Sequence, residues 1–112
     1  MGLQRINSVV EALQAAQIRT QRGFPVERMP YLTTSVAGVC IERVQAETIV
    51  LAVRIFTPLE QGGASCEDTA MKAAEILESL GATCQIQSCS FDGKSGLFNM
   101  AVLATFKREA TE

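Results

Sequence analysis

The longest apolar pattern in the chain runs from Thr48 to Thr57, where isoleucine, valine, leucine and phenylalanine follow one another and Arg54 is the one charged residue. A run of this kind has two faces to cover and predicts a central strand. Alternation assigns Ile49, Leu51, Val53 and Ile55 to one face and Val50, Ala52, Arg54 and Phe56 to the other. The first face is the greasier one and is expected to receive the helices. Pro58, which has no amide hydrogen to donate, ends the strand. Upstream, Leu3, Ile6, Val9, Val10 and Leu13 recur at helical spacing and predict an amphipathic helix over about residues 3–17. Downstream, Cys66, Thr69, Ala70, Ala73, Ile76, Leu77 and Leu80 form the buried stripe of a second helix. Ser65 is its expected cap, with Asp68 three residues on, and Gly81 its expected stop.

The remaining segments read as strands and one arm. Val36 to Val44 is β-rich and separated from Thr48 by a short polar break, which predicts an antiparallel hairpin. Ala82 to Phe91 alternates, and so does Leu97 to Lys107, with Met100, Val102, Ala104 and Phe106 on one side; the DGKSG between them is a hairpin turn signal. From Arg19 to Ser35 the chain carries two prolines, a glycine and three arginines. A connection this long without structure is uncommon in a compact domain. It reads as an extended arm, residues 18–35, with a strand near Ile18 to Arg22 and with Phe24, Met29 and Tyr31 as apolar anchors. The expectation is one α+β domain over residues 1–112: a two-layer, four-stranded, mainly antiparallel sheet with two helices on one face, in the order α-β-β-α-β-β.

Composition supports a folded core and narrows the partners. The 112 residues are 47% hydrophobic and 20% charged, with a formal net charge of −2, which recommends neither nucleic acid nor an anionic membrane surface. No apolar run reaches the ~20 residues of a membrane span, and no signal-like segment opens the chain. The reading is therefore a protein that is cytoplasmic when made. Its four cysteines, Cys40, Cys66, Cys84 and Cys89, are then expected as free thiols that pack as small apolar side chains.

Little in the sequence spells out a reaction. There is no histidine, so the commonest general base and neutral metal ligand are missing. The cysteines lack the paired spacing of a zinc site, and Glu75 and Glu78 lie on a solvated helix face. No metal, cofactor or catalytic residue is expected. Two features keep other readings open. Cys66, near a helix N-terminus, is a candidate reactive thiol with a lowered pKa, as in a thiol-dependent enzyme or redox sensor. Gly62, Gly63 and Ser65 before the helix resemble an anion cradle, although no Walker lysine follows and Glu60, Glu67 and Asp68 oppose an anion. Arg19, Arg22 and Arg28 on the arm have only Phe24 interleaved among them and fit a protein interface better than nucleic acid.

The order and length of these elements resemble small prophage-encoded tail proteins of the tail terminator, tail completion or minor tail type. The residues that carry the resemblance are the opening helix, Met29-Pro30 before the first strand, Phe56-Thr57-Pro58 closing the next, Gly62-Gly63 leading into a helix, and a final hairpin. The resemblance implies a structural virion protein without enzymatic activity, built as an α/β fold with helices on one side of a sheet. It implies assembly as a ring, typically a hexamer, at the end of the tail tube, with tail tube and head-tail connector proteins as partners. The arm and the loop after Pro58 would then make the contacts, and the candidate interface residues are Arg19, Arg22, Phe24, Arg28, Tyr31, Glu60 and Gln61. The cysteines find no reason in that resemblance.

Overall fold

The computed structural model describes residues 3–23 and 34–107. They form a helix, α1 (Leu3–Ala15), two strands, β1 (Thr20–Arg22) and β2 (Val36–Val44), and the long strand β3 (Thr48–Pro58). A single 3-10 turn, Leu59–Gln61, leads into α2 (Gly62–Ser79), and β4 (Thr83–Ile86), β5 (Ser90–Asp92) and β6 (Leu97–Lys107) follow. The α+β class is as expected and the sheet is mainly antiparallel, but it has six strands rather than four, one of them paired parallel. Its order is β1-β2-β3-β6-β4, with β5 also on β6.

Two differences account for the larger count. The arm's expected strand is real and lies parallel to β2, with Thr20 opposite Ala37 and Arg22 opposite Val39. The run from Ala82 to Phe91, expected as one strand, is two. Ile86 stands opposite Val102 and Ser90 opposite Asn99, so one more residue lies on this edge than on β6 across the same interval. An extra residue interrupts a ladder and reverses which side chains face which way. A second irregularity of this sort lies in β2, between Ile41 and Arg43.

The hairpin of β2 and β3 and the pairing of β3 with β6 put the apolar strand in the middle of the sheet. Ile49, Leu51, Val53 and Ile55 join Met100, Val102, Ala104 and Phe106 in one buried cluster with Ile6, Val9 and Leu13 of α1 and Cys66, Ala70, Ala73 and Leu77 of α2. Both helices therefore lie on the face that the alternation assigns to them. Alanines on α2 let its axis approach the strands closely, as the small-residue stripe predicts. Ala74 is buried as well, whereas Leu80, expected at the end of that stripe, is exposed. The reason is the helix end: Leu80 already lies past the last helical residue, and Gly81, at φ 98°, turns the chain away toward β4.

The start of α2 also differs from expectation. The helix opens at Gly62, not after Ser65, and Ser65 donates its hydroxyl to the carbonyl of Gln61 at 2.7 Å instead of capping free amides. Gly62 makes the corner at φ 83° and ψ 161°, a combination that side chains with a Cβ avoid. At the other hairpin, Asp92 accepts hydrogen bonds from the Lys94 amide (3.1 Å) and the Ser95 hydroxyl (2.9 Å). These bonds fix the turn and hold the Asp92 carboxyl below its ordinary range, the Ser95 bond contributing most.

Candidate functional site

Three places in the fold hold the candidates: the end of the sheet where β3 finishes, the face of the sheet away from the helices, and the thiols under the start of α2.

At the first place, Arg19 just precedes Thr20, and the turn bearing Glu60 and Gln61 follows Pro58. Register brings both to the same end, since Thr20 lies opposite Ala37 and Ala37 opposite Ile55. Arg19 and Lys72 are both exposed and line a cleft of about 310 Å³ with Gln17, Ile18, Thr34, Ser35 and Thr69. Two of its hydroxyls are engaged within the fold: Ser35 and Thr57 share a 2.8 Å hydrogen bond, and Thr69 donates to the Ser65 carbonyl at 2.8 Å. Arg22 is exposed two residues beyond Thr20, within 3.5 Å of the Asn7 side chain. Glu60 and Gln61 are exposed beside Leu59, which is 59% exposed. Phe24, Arg28 and Tyr31 lie outside the described residues.

The Gly-Gly cradle is not assembled as an open concavity. Gly63 lies under the Phe98 ring, whose Cε1 is 3.4 Å from where a Cβ on Gly63 would stand. Ser65 is engaged with Gln61, so its hydroxyl is not aimed outward at an anion.

The second place is the sheet face opposite the helices. Across it, register aligns Val36, Phe56 and Asn99 in one row, Cys40, Ala52, Leu103 and Gln85 in another, and Arg43, Val50, Thr105 and Thr83 in a third. Among the described residues no helix covers this face. Its centre is nonetheless apolar and withdrawn from solvent, with Ala52, Val36, Val50 and Ala101 all under 5% exposed and Phe56, Cys40 and Leu103 half-buried around them. Arg54 lies between the first two rows, opposite Gly38 and Ala101. Sequence reasoning assigns these residues to a second strand face but not to a site. The signal was there in the near absence of polar residues on either side of β3.

The third place is Cys66. It is fully buried, with its sulfur 3.8 Å from the Ile55 carbonyl oxygen. Burial pushes its thiol up to about 11, helped by the neighbouring Cys89 and Glu67 and opposed by a hydrogen bond with Thr57. The lowered pKa expected from the helix start is therefore reversed, because loss of water outweighs the partial charge of the helix end. Burial likewise raises the thiols of Cys84 and Cys40. The sign of the linkage follows: above pH 9 an unfolded Cys66 releases its proton while the folded one keeps it. Stability should therefore be constant up to about pH 8 and decline as pH rises from 9 toward 11. Melting curves on wild type and Cys66→Ala will show this as a slope that is shallower in the variant over that window, the raised Cys40 and Cys84 thiols supplying the remainder.

Among the described residues no group of three or more His, Cys, Asp or Glu side chains is placed to hold a metal ion, and no helix is long and apolar enough to cross a membrane. Compared with known proteins, the chain matches no family model and no curated sequence.

Proposed function

We propose that this chain is a structural protein that works by assembling with copies of itself, as a ring of the tail terminator or tail completion kind, and that it carries no catalytic centre. The observation that carries this reading is the apolar sheet face with no described helix upon it. The centre of this face is already withdrawn from water in the single chain, so the contact open to a neighbour is its border, half-buried Phe56, Cys40 and Leu103 with polar Asn99, Thr105 and Gln85, a mixture of apolar and polar groups of the kind interfaces use. Exposed apolar side chains at Ile41, Val44, Ile86 and Phe91 lie instead on the helix side of the sheet, beyond the area that the helices cover.

A ring needs two unlike surfaces that meet head to tail. The sheet face is one, and the polar end carrying Arg19, Glu60 and Gln61 is the other. Arg19 and Glu60 share that end, so in a head-to-tail contact they would meet the polar border of the neighbour's sheet face and not each other. The tail tube and a head-tail connector protein are the partners such a ring would meet.

The test is the mass in solution. Light scattering after size exclusion, from low to high micromolar protein, should show one closed species near six times the 12.1 kDa chain mass. A monomer at every concentration would remove the reading.

A further inference from the structure

The sheet register brings together two thiols that are far apart in the chain. Cys66 lies over the Ile55 carbonyl, and Ile55 stands opposite Met100 on β6. Along the far edge of β6, the Gln87 amide bonds the Ala101 carbonyl at 2.9 Å and Ser90 faces Asn99, so Cys89 comes alongside Met100. The extra residue between β4 and β5 decides the outcome. Without it, the alternation that points Cys84 and Ile86 toward the helices would point Cys89 away. With it, Cys89 packs from a half-buried position against the helix-side core that contains Cys66, near enough to act on the Cys66 thiol.

The other two thiols are elsewhere. Cys84 donates to the Ala74 carbonyl at 3.7 Å, eight residues or ~12 Å along α2 from Cys66, and Cys40 belongs to the opposite face of the sheet.

We propose that Cys66 and Cys89 are a redox-active pair that closes to an internal disulfide when the protein meets a peroxide. The more accessible Cys89 is the first to react. Its sulfur attacks one peroxide oxygen, the O–O bond breaks, and Cys89 becomes a sulfenic acid as one water leaves. The Cys66 sulfur then attacks the Cys89 sulfur, the S–O bond breaks, and the hydroxyl departs with the Cys66 proton as a second water. Two electrons pass from the sulfurs to the peroxide, and a small-molecule dithiol reverses the change by exchange. The pairing reverses the roles that sequence suggests, since Cys66 is the resolving partner and not the attacking thiol. The closed disulfide ties residues 87–89 to the second turn of α2, and this consequence does not depend on ring assembly.

The experiment treats the folded protein with hydrogen peroxide, quenches with iodoacetamide and maps the peptides. The expected result is a loss of two hydrogens with Cys66 joined to Cys89, Cys40 and Cys84 still alkylated, and a melting temperature higher by at least ~5 °C that dithiothreitol reverses. The Cys40→Ser/Cys84→Ser double variant should behave as wild type, while Cys89→Ser, altered at the half-buried position, should stay folded and form no internal bond. A disulfide mapped to any other pair, or four thiols alkylated after exposure that oxidises a free-thiol control peptide, would overturn the proposal.

Discussion

Replacing Val53 with aspartate should leave no folded protein at 25 °C. Val53 is 0% exposed at the middle of β3, opposite Val39 on one side and Val102 on the other, within the cluster that both helices cover. A carboxylate there has only apolar side chains around it. Burying it unpaired, or forcing it to take up a proton, costs several kcal/mol, and the lost Val packing adds to that. Domains of this size have about 5–15 kcal/mol in total. Far-UV circular dichroism and urea titration will read the result, with Val53→Ala as the graded companion at a loss of about 2 kcal/mol. An aspartate variant that melts cooperatively near the wild-type temperature would mean that the two layers are not packed as described.

That prediction rests on the part of the fold most legible in the sequence. The face carrying Ile49, Leu51, Val53 and Ile55, the hairpin before it and the stripe of α2 all follow from hydrophobic period. Period reports burial on one side of an element, and here the burial is deep. What eluded it were features that depend on partners distant in sequence. The strand near Ile18 to Arg22 is expected from the sequence, but three residues are too few to show that it lies parallel to β2. The break between β4 and β5 leaves no mark either, because ATCQIQSCSF alternates plausibly throughout; only pairing to β6 reveals the extra residue. Ser65 misleads for a related reason. It has the chemistry of a cap, but the glycines ahead of it allow the helix to begin earlier.

The candidate site divides in the same way. The exposure of Arg19, Arg22, Glu60 and Gln61 agrees with their polarity, but the position of Arg19, Glu60 and Gln61 at one end of the sheet, with Arg22 farther along it, is a product of topology. The meeting of Cys66 with Cys89 was not readable at all, since it depends on the register shift. The two-sided apolar character of β3 was readable and implies cover on both faces. The described helices supply one cover. The other face has Val50, Ala52 and Ala101 withdrawn from water and is the surface on which the assembly reading stands.

Leu103→Lys is the substitution that separates that reading from a fold requirement. Leu103 is half-buried on the helix-free face, beside its buried centre, between Ala52 on β3 and Gln85 on β4. In the isolated chain a lysine there can lay its stem along the sheet and lift its ammonium into water, so the monomer should lose no more than about 1 kcal/mol. Pressed against a neighbouring copy, the same ammonium loses water, and its cross-strand neighbours, an alanine and a glutamine, offer it no carboxylate. The lost apolar contact alone is worth about 1.5–3 kcal/mol per interface, and roughly every 1.4 kcal/mol is a factor of ten in affinity. With the desolvated charge added, each interface should weaken by at least ~100-fold. Light scattering should then report a monomer with wild-type circular dichroism and a melting temperature changed only by what the ring itself contributed. Leu103→Met, matched in volume, should keep the ring. If Leu103→Lys keeps the same oligomer as wild type, the helix-free face is not the surface that joins the copies.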